Sequence, residues 1–280
     1  MEVEEMRALL ILLAVLLATE AGAVEVLSLV RDVAYTGGLE EPGMMGDARS
    51  SVELGSFSEA LEDVLSSPPD AEASAQVSQF SYVSADVGGL FIAVDADAGT
   101  HATTLADGTI ADALAESRLE IVFTTDETTQ LTVDIVASSG LGLFYDGPGV
   151  GEVASSYVAS FLLCVVGGGC LADILAEDTT DNGQAVAIGI SDSIQIPPGD
   201  YEVQLIAISQ SISRDVGSTL GSAGVSGEIT VEPLPEPGQW LMLAAGIAFL
   251  ATRRRVHSRY RSAPEWLSSS PSRICSNSHR

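Results

Sequence analysis

Residues 119–136 read LEIVFTTDETTQLTVDIV. Leu119, Ile121 and Phe123 alternate with Glu120, Val122 and Thr124; Leu131, Val133 and Ile135 then alternate with Thr132, Asp134 and Val136. A period of two places one set on each face of an extended chain, the mark of strands buried on one side. The alternation returns in IPPGDYEVQLIAI, residues 196–208, where Tyr201, Val203, Leu205 and Ala207 interleave with Glu202, Gln204 and Ile206. Further strands are predicted at 51–57, 77–84, 90–95, 153–166, 185–190 and 227–231. Turn chemistry separates them at Asp107-Gly108, Asp146-Gly147-Pro148, Asn182-Gly183 and Pro197-Pro198-Gly199-Asp200.

Helical pattern is scarce. Residues 58–65 suit two turns, with Ser58 as N-cap and Leu61, Val64 and Leu65 on one face. Residues 171–177 suit another short helix. The stretches 36–46 (TGGLEEPGMMG) and 66–75 (SSPPDAEASA) read as loops. Residues 24–232 are thus expected to form one mostly β domain, an antiparallel β-sandwich of jelly-roll-like type, with no internal boundary or repeat.

The chain has 280 residues, 39 Asp+Glu and 12 basic residues, all of them Arg, for a net charge of -27. Such a surface repels phosphate backbones and excludes general nucleic-acid binding. At 46 % hydrophobic residues, the chain is also too apolar for a disordered acidic tail. The charge is segregated. Residues 24–252 carry 34 carboxylates and four Arg, a net -30, whereas residues 253–280 carry seven Arg and one Glu, a net +6.

Residues 1–23 read as a signal peptide. The apolar run 8–18 (ALLILLAVLLA) has 11 residues, and at ~1.5 Å per residue it spans only about half a bilayer core as a signal helix. Ala21 and Ala23 form the small-x-small pattern that signal peptidase accepts, with cleavage before Val24. At the other end, Pro233, Pro235, Glu236, Pro237 and Gly238 forbid helix. Residues 239–252 then form an apolar, helix-compatible segment opening on Trp240. Arg253, Arg254 and Arg255 follow as a membrane stop that stays cytoplasmic.

The order Pro235-Glu236-Pro237, apolar helix, Arg block resembles the PEP-CTERM sorting signal of Gram-negative bacteria. The likeness covers about the last fifth of the chain. It implies export by the general secretory route, tethering in the inner membrane by the C-terminal transmembrane helix, processing by an exosortase, and arrival at the cell surface or in an extracellular matrix. It also implies an association with exopolysaccharide and biofilm. Sorting would rest on Pro235, Glu236 and Pro237, within a signal spanning 233–255. Two features depart from the pattern. The apolar segment has 14 residues, roughly 21 Å as a helix against a ~30 Å hydrocarbon core. Residues 256–280 form a Ser- and Arg-rich tail, read as disordered, where such proteins usually stop within a few residues.

Within the exported region Cys164 and Cys170 enclose five residues, three of them Gly. An oxidising compartment favours a local disulfide over two free thiols. Asp95-Ala96-Asp97-Ala98-Gly99 has alternating carboxylates before a glycine, and Asp178, Asp181, Asn182 and Gly183 make a second oxygen-rich loop. These are the candidate Ca²⁺ ligands, with ordinary turn chemistry as the competing reading. His101 lies in a loop-like stretch, 98–102, and reads as surface decoration, since no Gly-x-Ser-x-Gly elbow accompanies it. No catalytic residue is assigned. The expected role is structural or interactive, against a carboxylate-based glycosidase or lyase and a calcium-dependent adhesion module. For sugar stacking, both Trp lie outside the domain, and Tyr145 beside Asp146-Gly147 is the best loop candidate.

Glu2, Glu4 and Glu5 precede Arg7, which is the wrong charge for a signal peptide's first segment. Initiation at Met6 removes them. N-terminal sequencing of the unprocessed precursor is expected to begin at Met6 or Arg7, and recovery of Glu2 would exclude this start.

Overall fold

The computed structural model describes residues 24–40, 43–86, 88–144, 152–178, 186–234 and Gly246. In order the strands are β1 (Val24–Leu39), β2 (Gly43–Ser51), β3 (Gly55–Ser67), β4 (Ala71–Asp86), β5 (Gly89–Thr125), β6 (Thr129–Phe144), β7 (Glu152–Val165), β8 (Cys170–Asp178), β9 (Val186–Ile196) and β10 (Gly199–Pro233). Every pairing among them is antiparallel.

Two strands organise the rest. β5 has 37 residues and β10 has 35, and they pair with each other along nearly their whole length. The register breaks once. Arg214 faces Ile110 and Val216 faces Leu105, so Asp215 alone opposes residues 106–109. This bulge is a corner. Asp215 has φ 63° and Gly108 φ 80°, left-handed values that Asp tolerates and Gly adopts freely. The Gly108 N–H donates to Asp215 Oδ1 at 2.9 Å, and Thr109 Oγ1 donates to the Ala106 carbonyl at 2.6 Å.

At that corner the β5–β10 ribbon folds double. Residues 110–125 and 199–214 form the centre of one layer, in the order β2-β1-β5-β10-β7-β8. Residues 90–105 and 216–231 form the centre of the other, in the order β3-β4-β5-β10-β6-β9. The layers pack face to face, β1 on β4, β2 on β3, β6 on β7 and β8 on β9. The described chain is therefore an antiparallel β-sandwich.

The interior tapers toward the fold line. Along β5 the inward side chains run Leu90, Ile92, Val94, Ala96, Ala98, Thr100, Ala102 and Thr104 to the corner, then Ala111, Ala113, Ala115, Ser117, Leu119, Ile121 and Phe123 away from it, all buried. β10 mirrors this, from Tyr201, Val203 and Leu205 through Ser209, Ser211 and Ser213 to Thr219, Ala223, Val225, Ile229 and Val231. Two layers joined by a bent ribbon are closest at the bend and reach the ordinary ~10 Å spacing only farther out. Small side chains therefore fill the crease and large ones the open end. In the crease Thr100 Oγ1 meets Ser209 Oγ at 2.8 Å and Ser211 Oγ at 2.9 Å, and Thr104 Oγ1 meets Ser213 Oγ at 2.8 Å. These bonds cross between the layers and satisfy hydroxyls that water cannot reach.

Among the described residues one cation is inside. Arg31 on β1 has no exposed surface; its guanidinium donates to the carbonyls of Gly55 (2.9 Å) and Glu53, and lies 5.3 Å from the Phe57 ring centroid. Burial lowers its pKa from the ordinary value, with Glu53 opposing the shift. The side chain clamps the turn between β2 and β3 to the core.

Several sequence expectations need correction. Residues 58–65 are not helix but the middle of β3, paired with β4 throughout. Leu61 and Leu65 pack against the core whereas Val64, grouped with them by the helical reading, is half exposed on the opposite side. The Glu, Ala and Leu content favours helix, but a full-length partner strand overrides that weak preference. Residues 171–177 lie in β8, with Ile174 and Ala176 inward and Leu171 and Leu175 outward. Residues 51–57 straddle the β2–β3 turn instead of forming one strand. Of the two long loops, 36–46 is largely strand, β1 running to Leu39 and β2 starting at Gly43, and 66–75 shrinks to the connection 68–70, which holds a cis Pro68-Pro69 bond. Asp107-Gly108 bends a continuing strand rather than ending one. The expected segments 1–23 and 256–280, the turns at 146–148 and 182–183, and all of 239–252 except Gly246 lie outside the described residues.

The crease makes a signed prediction. A Cβ at Gly221 would stand 2.7 Å from Ser209 Oγ and 2.8 Å from Ser155 Oγ. Gly221→Ala should cost about 1–3 kcal/mol in urea unfolding, where an uncrowded strand glycine would gain roughly 0.5–1 kcal/mol from the same change. A stabilised variant would show that the crease is not close-packed.

Candidate functional site

The outward face of the second layer gathers the chemistry. The inward residues of β4, β5, β10 and β6 are the core just described, so their alternates face solvent. Antiparallel register aligns them in rows. Gln76, Gly99, Ser222 and Gly140 form one, and Ser78, Asp97, Gly224 and Ser138 the next. Three glycines in two adjacent rows leave a shallow groove of about 620 Å³. Neighbouring polar side chains lie across them. Gln76 Nε2 is 3.0 Å from where a Cβ at Gly99 would stand, Ser222 Oγ 3.1 Å from that at Gly140, and Asp97 Oδ1 2.6 Å from that at Gly224. Lying flat against the sheet partly desolvates Asp97 and raises its pKa, and the Asp95 carboxylate raises it further.

The rows beyond the groove, away from the crease, are aromatic. Phe80 neighbours Asp95, and Tyr82 follows two residues along β4. Tyr82 meets Phe91 of β5 with ring centroids 6.2 Å apart. Phe80 and Tyr82 are 51 % and 39 % exposed.

On the crease side of the groove lies a hydroxyl–imidazole cluster. His101 Nε2 is 2.8 Å from Thr103 Oγ1 and 3.1 Å from Ser218 Oγ, which are themselves 2.8 Å apart. His101 Nδ1 is 3.8 Å from Glu72 Oε1, an ion pair when the ring is protonated. The order carboxylate, imidazole, hydroxyl is that of an acyl-transfer relay, which also needs donors for an oxyanion. Ser218 sits in a central strand between β5 and β6, and the backbone N–H groups around it are engaged in those ladders. What the cluster does visibly is tie β4, β5 and β10 together on their outer side.

The sequence-predicted residues are scattered. Asp95 and Asp97 are adjacent outward residues of β5, in a strand and not in a glycine turn. Asp178 ends β8 in the other layer, and Asp181, Asn182 and Gly183 lie outside the described residues. Among the described residues no group of three His, Cys, Asp or Glu is placed to hold a metal. His101 is in mid-strand, not a loop. Cys164 and Cys170 are bonded, S–S 2.04 Å, at directly opposed positions of the β7–β8 hairpin. Tyr145, Ala21, Ala23, Pro235, Glu236, Pro237, Arg253, Arg254 and Arg255 lie outside the described residues. The groove was missed because its lining comes from six strands, β3, β4, β5, β10, β6 and β9; the small outward residues Gly99, Gly140 and Gly224 were its only trace.

No protein-family model and no curated protein matches the chain. Among solved structures, weak similarity reaches the infectious bursal disease virus Gx strain structure, at 11 % identity over 84 % of this chain and 75 % of that one, TM-score 0.16. The infectious bursal disease virus VP2 subviral particle is similar at 12 % identity over 86 % of this chain and 75 % of that one, TM-score 0.13. Likeness at this level carries no argument about architecture or role.

Asp97 yields a pH prediction. Its raised pKa means that the folded chain holds the proton more tightly than the unfolded one, so stability falls as pH rises through the carboxylate range. Asp97→Asn should therefore be the more stable protein at pH 7, by at most about 0.5 kcal/mol because water screens the group. The difference should vanish below about pH 3, where the carboxyl is protonated in both states. Urea unfolding of both proteins across that range measures it; a variant less stable at pH 7 would contradict the assignment.

Proposed function

We propose that this chain is an exported, membrane-tethered protein of the PEP-CTERM kind. Its acidic, jelly-roll-like sandwich serves a structural or interactive role in the cell envelope or exopolysaccharide matrix. The observation that carries the reading is the composite of ends: an apolar run with Ala21 and Ala23 at the front, and Pro235-Glu236-Pro237, an apolar segment and Arg253 to Arg255 at the back. Between them lies a domain whose charge and folding suit an extracytoplasmic setting. The Cys164–Cys170 bond supports an oxidising compartment. The net -30 of residues 24–252, with no Lys, supports work at a surface rather than on nucleic acid. The folded-double β5–β10 ribbon, extended on both sides by further strands, supports the jelly-roll likeness.

The signals assign distinct tasks. Signal peptidase removes residues 1–23, the C-terminal segment holds the precursor in the inner membrane, and the exosortase acts near Pro235-Glu236-Pro237. Cell fractionation with mass spectrometry of both termini is expected to give Val24 as the first residue and a C-terminus short of Arg253. Replacing Pro235, Glu236 and Pro237 with Ala should leave the tethered form in the membrane fraction. A cytoplasmic protein ending at Arg280 would overturn the scheme.

A further inference from the structure

We infer that the outward face of the second layer is a binding face for an uncharged oligosaccharide. The inference deepens the matrix role proposed above, and rests on it only for where the ligand would be met.

Three independent features of one surface carry it. The first is aromatic. Among described aromatic side chains, Tyr35, Phe57, Phe123, Tyr157, Phe161 and Tyr201 are buried. The three with open surface, Phe80, Tyr82 and Phe91, are neighbours on β4 and β5 of this one face. Single exposed apolar residues are ordinary, but collecting every described ring with open surface in one patch is not. A pyranose presents a C–H face that packs on such rings.

The second is the groove that continues from the rings along the same strands. Its amide (Gln76), carboxylate (Asp97) and hydroxyls (Ser78, Ser222) make no side-chain hydrogen bond within the described residues, apart from a weak one at 3.4 Å from Ser222 Oγ to the Gly140 carbonyl. They offer both donors and acceptors, which matches sugar hydroxyls that donate and accept in turn. The glycines let Gln76, Asp97 and Ser222 lie flat against the sheet, so these polar groups themselves line the floor a ligand would meet. From Phe91 to Gly99 is eight residues along β5, on the order of 27 Å, so the surface suits several linked sugars rather than one.

The third is charge. Glu62, Asp95, Asp97, Asp134 and Glu228 all face outward here and are exposed. Polyanions are repelled from such a surface, whereas neutral hydroxyls find acceptors on it. That selects an uncharged glycan over an acidic one. A peptide partner would instead seek pockets for its side chains or a free strand edge, whereas the rings and the central rows of the groove lie on β4, β5, β10 and β6, whose edges are all paired.

The test is native affinity electrophoresis of the purified full chain through gels carrying hydroxyethylcellulose, galactomannan or dextran, with alginate as the polyanion. Retardation is expected in at least one neutral gel and not in alginate. The double variant Phe80→Ala, Tyr82→Ala, whose residues are exposed, should weaken it by about tenfold, as expected for two stacking contacts. Gln76→Ala tests the groove independently and should also weaken it. Circular dichroism confirms that each variant is folded. Retardation in none of the neutral gels, retardation in alginate alone, or retardation indifferent to the aromatic pair would each overturn the inference. Binding is read on purified protein and sorting on cell fractions. A chain that binds without being processed, or is processed without binding, therefore separates the two proposals.

Discussion

The fold depends on one geometric constraint, the doubling of the β5–β10 ribbon at Asp215 and residues 106–109. Once two strands of 37 and 35 residues bend together, each supplies the central pair of both layers, and every other strand is added to an existing edge. The bend also dictates composition. Near it there is room for Ala, Ser, Thr and Gly221; farther out there is room for Phe123, Tyr201 and Phe161. The hydroxyls at the crease are there because small residues were required, and they bond each other because they were buried. A serine seam of this kind adds specificity of alignment more than net stability, since each bond replaces one to water.

Much of this was legible in the sequence, but unevenly. The alternation at 119–136 and 201–207 is strong because large apolar and polar residues trade places, and both segments are strands with the predicted faces inward. Across 96–117 and 207–223 the same period is present in weak form, as Ala, Ser and Thr, whose hydrophobic contrast is small. That is why one strand of β5 looked like a strand, a loop around His101 and another strand. The corner was visible as Asp107-Gly108, but a glycine turn that reverses a chain and one that bends it read alike. β3 was lost to helix propensity because its partner β4 decides the matter, and pairing is not written in a local window.

The candidate face was the least legible part. Its central rows come from β4, β5, β10 and β6, with β3 and β9 at its sides, and only register brings Gln76, Gly99, Ser222 and Gly140 side by side. Local reading treated Asp95 and Asp97 as turn ligands because carboxylates before a glycine usually are. In the strand the glycine has another use: it clears space over which a cross-strand neighbour can lie. The same reasoning explains His101, whose hydroxyl partners Thr103 and Ser218 and carboxylate partner Glu72 are two, 117 and 29 residues away.

The acidity acquires a structural sense from the topology. Among the described residues, the outermost strands of the two layers are β2 and β8, and β3 and β9. Such strands present unpaired N–H and C=O groups and are the sites where sandwiches join edge to edge. Each carries carboxylates: Asp47 on β2, Glu59, Glu62 and Asp63 on β3, Asp173 and Glu177 on β8, and Asp192 on β9. Two copies approaching edge to edge would bring like charges together before any ladder could form. Basic residues would undo this by pairing with the neighbour's carboxylates, and the domain has four: Arg31 is interior, Arg49 and Arg118 are bonded within their own strands to Asp47 and Glu120, and Arg214 is on the central strand β10 rather than at an edge. The lack of Lys and the net negative charge thus act together to keep a strand-rich surface from templating its own aggregation.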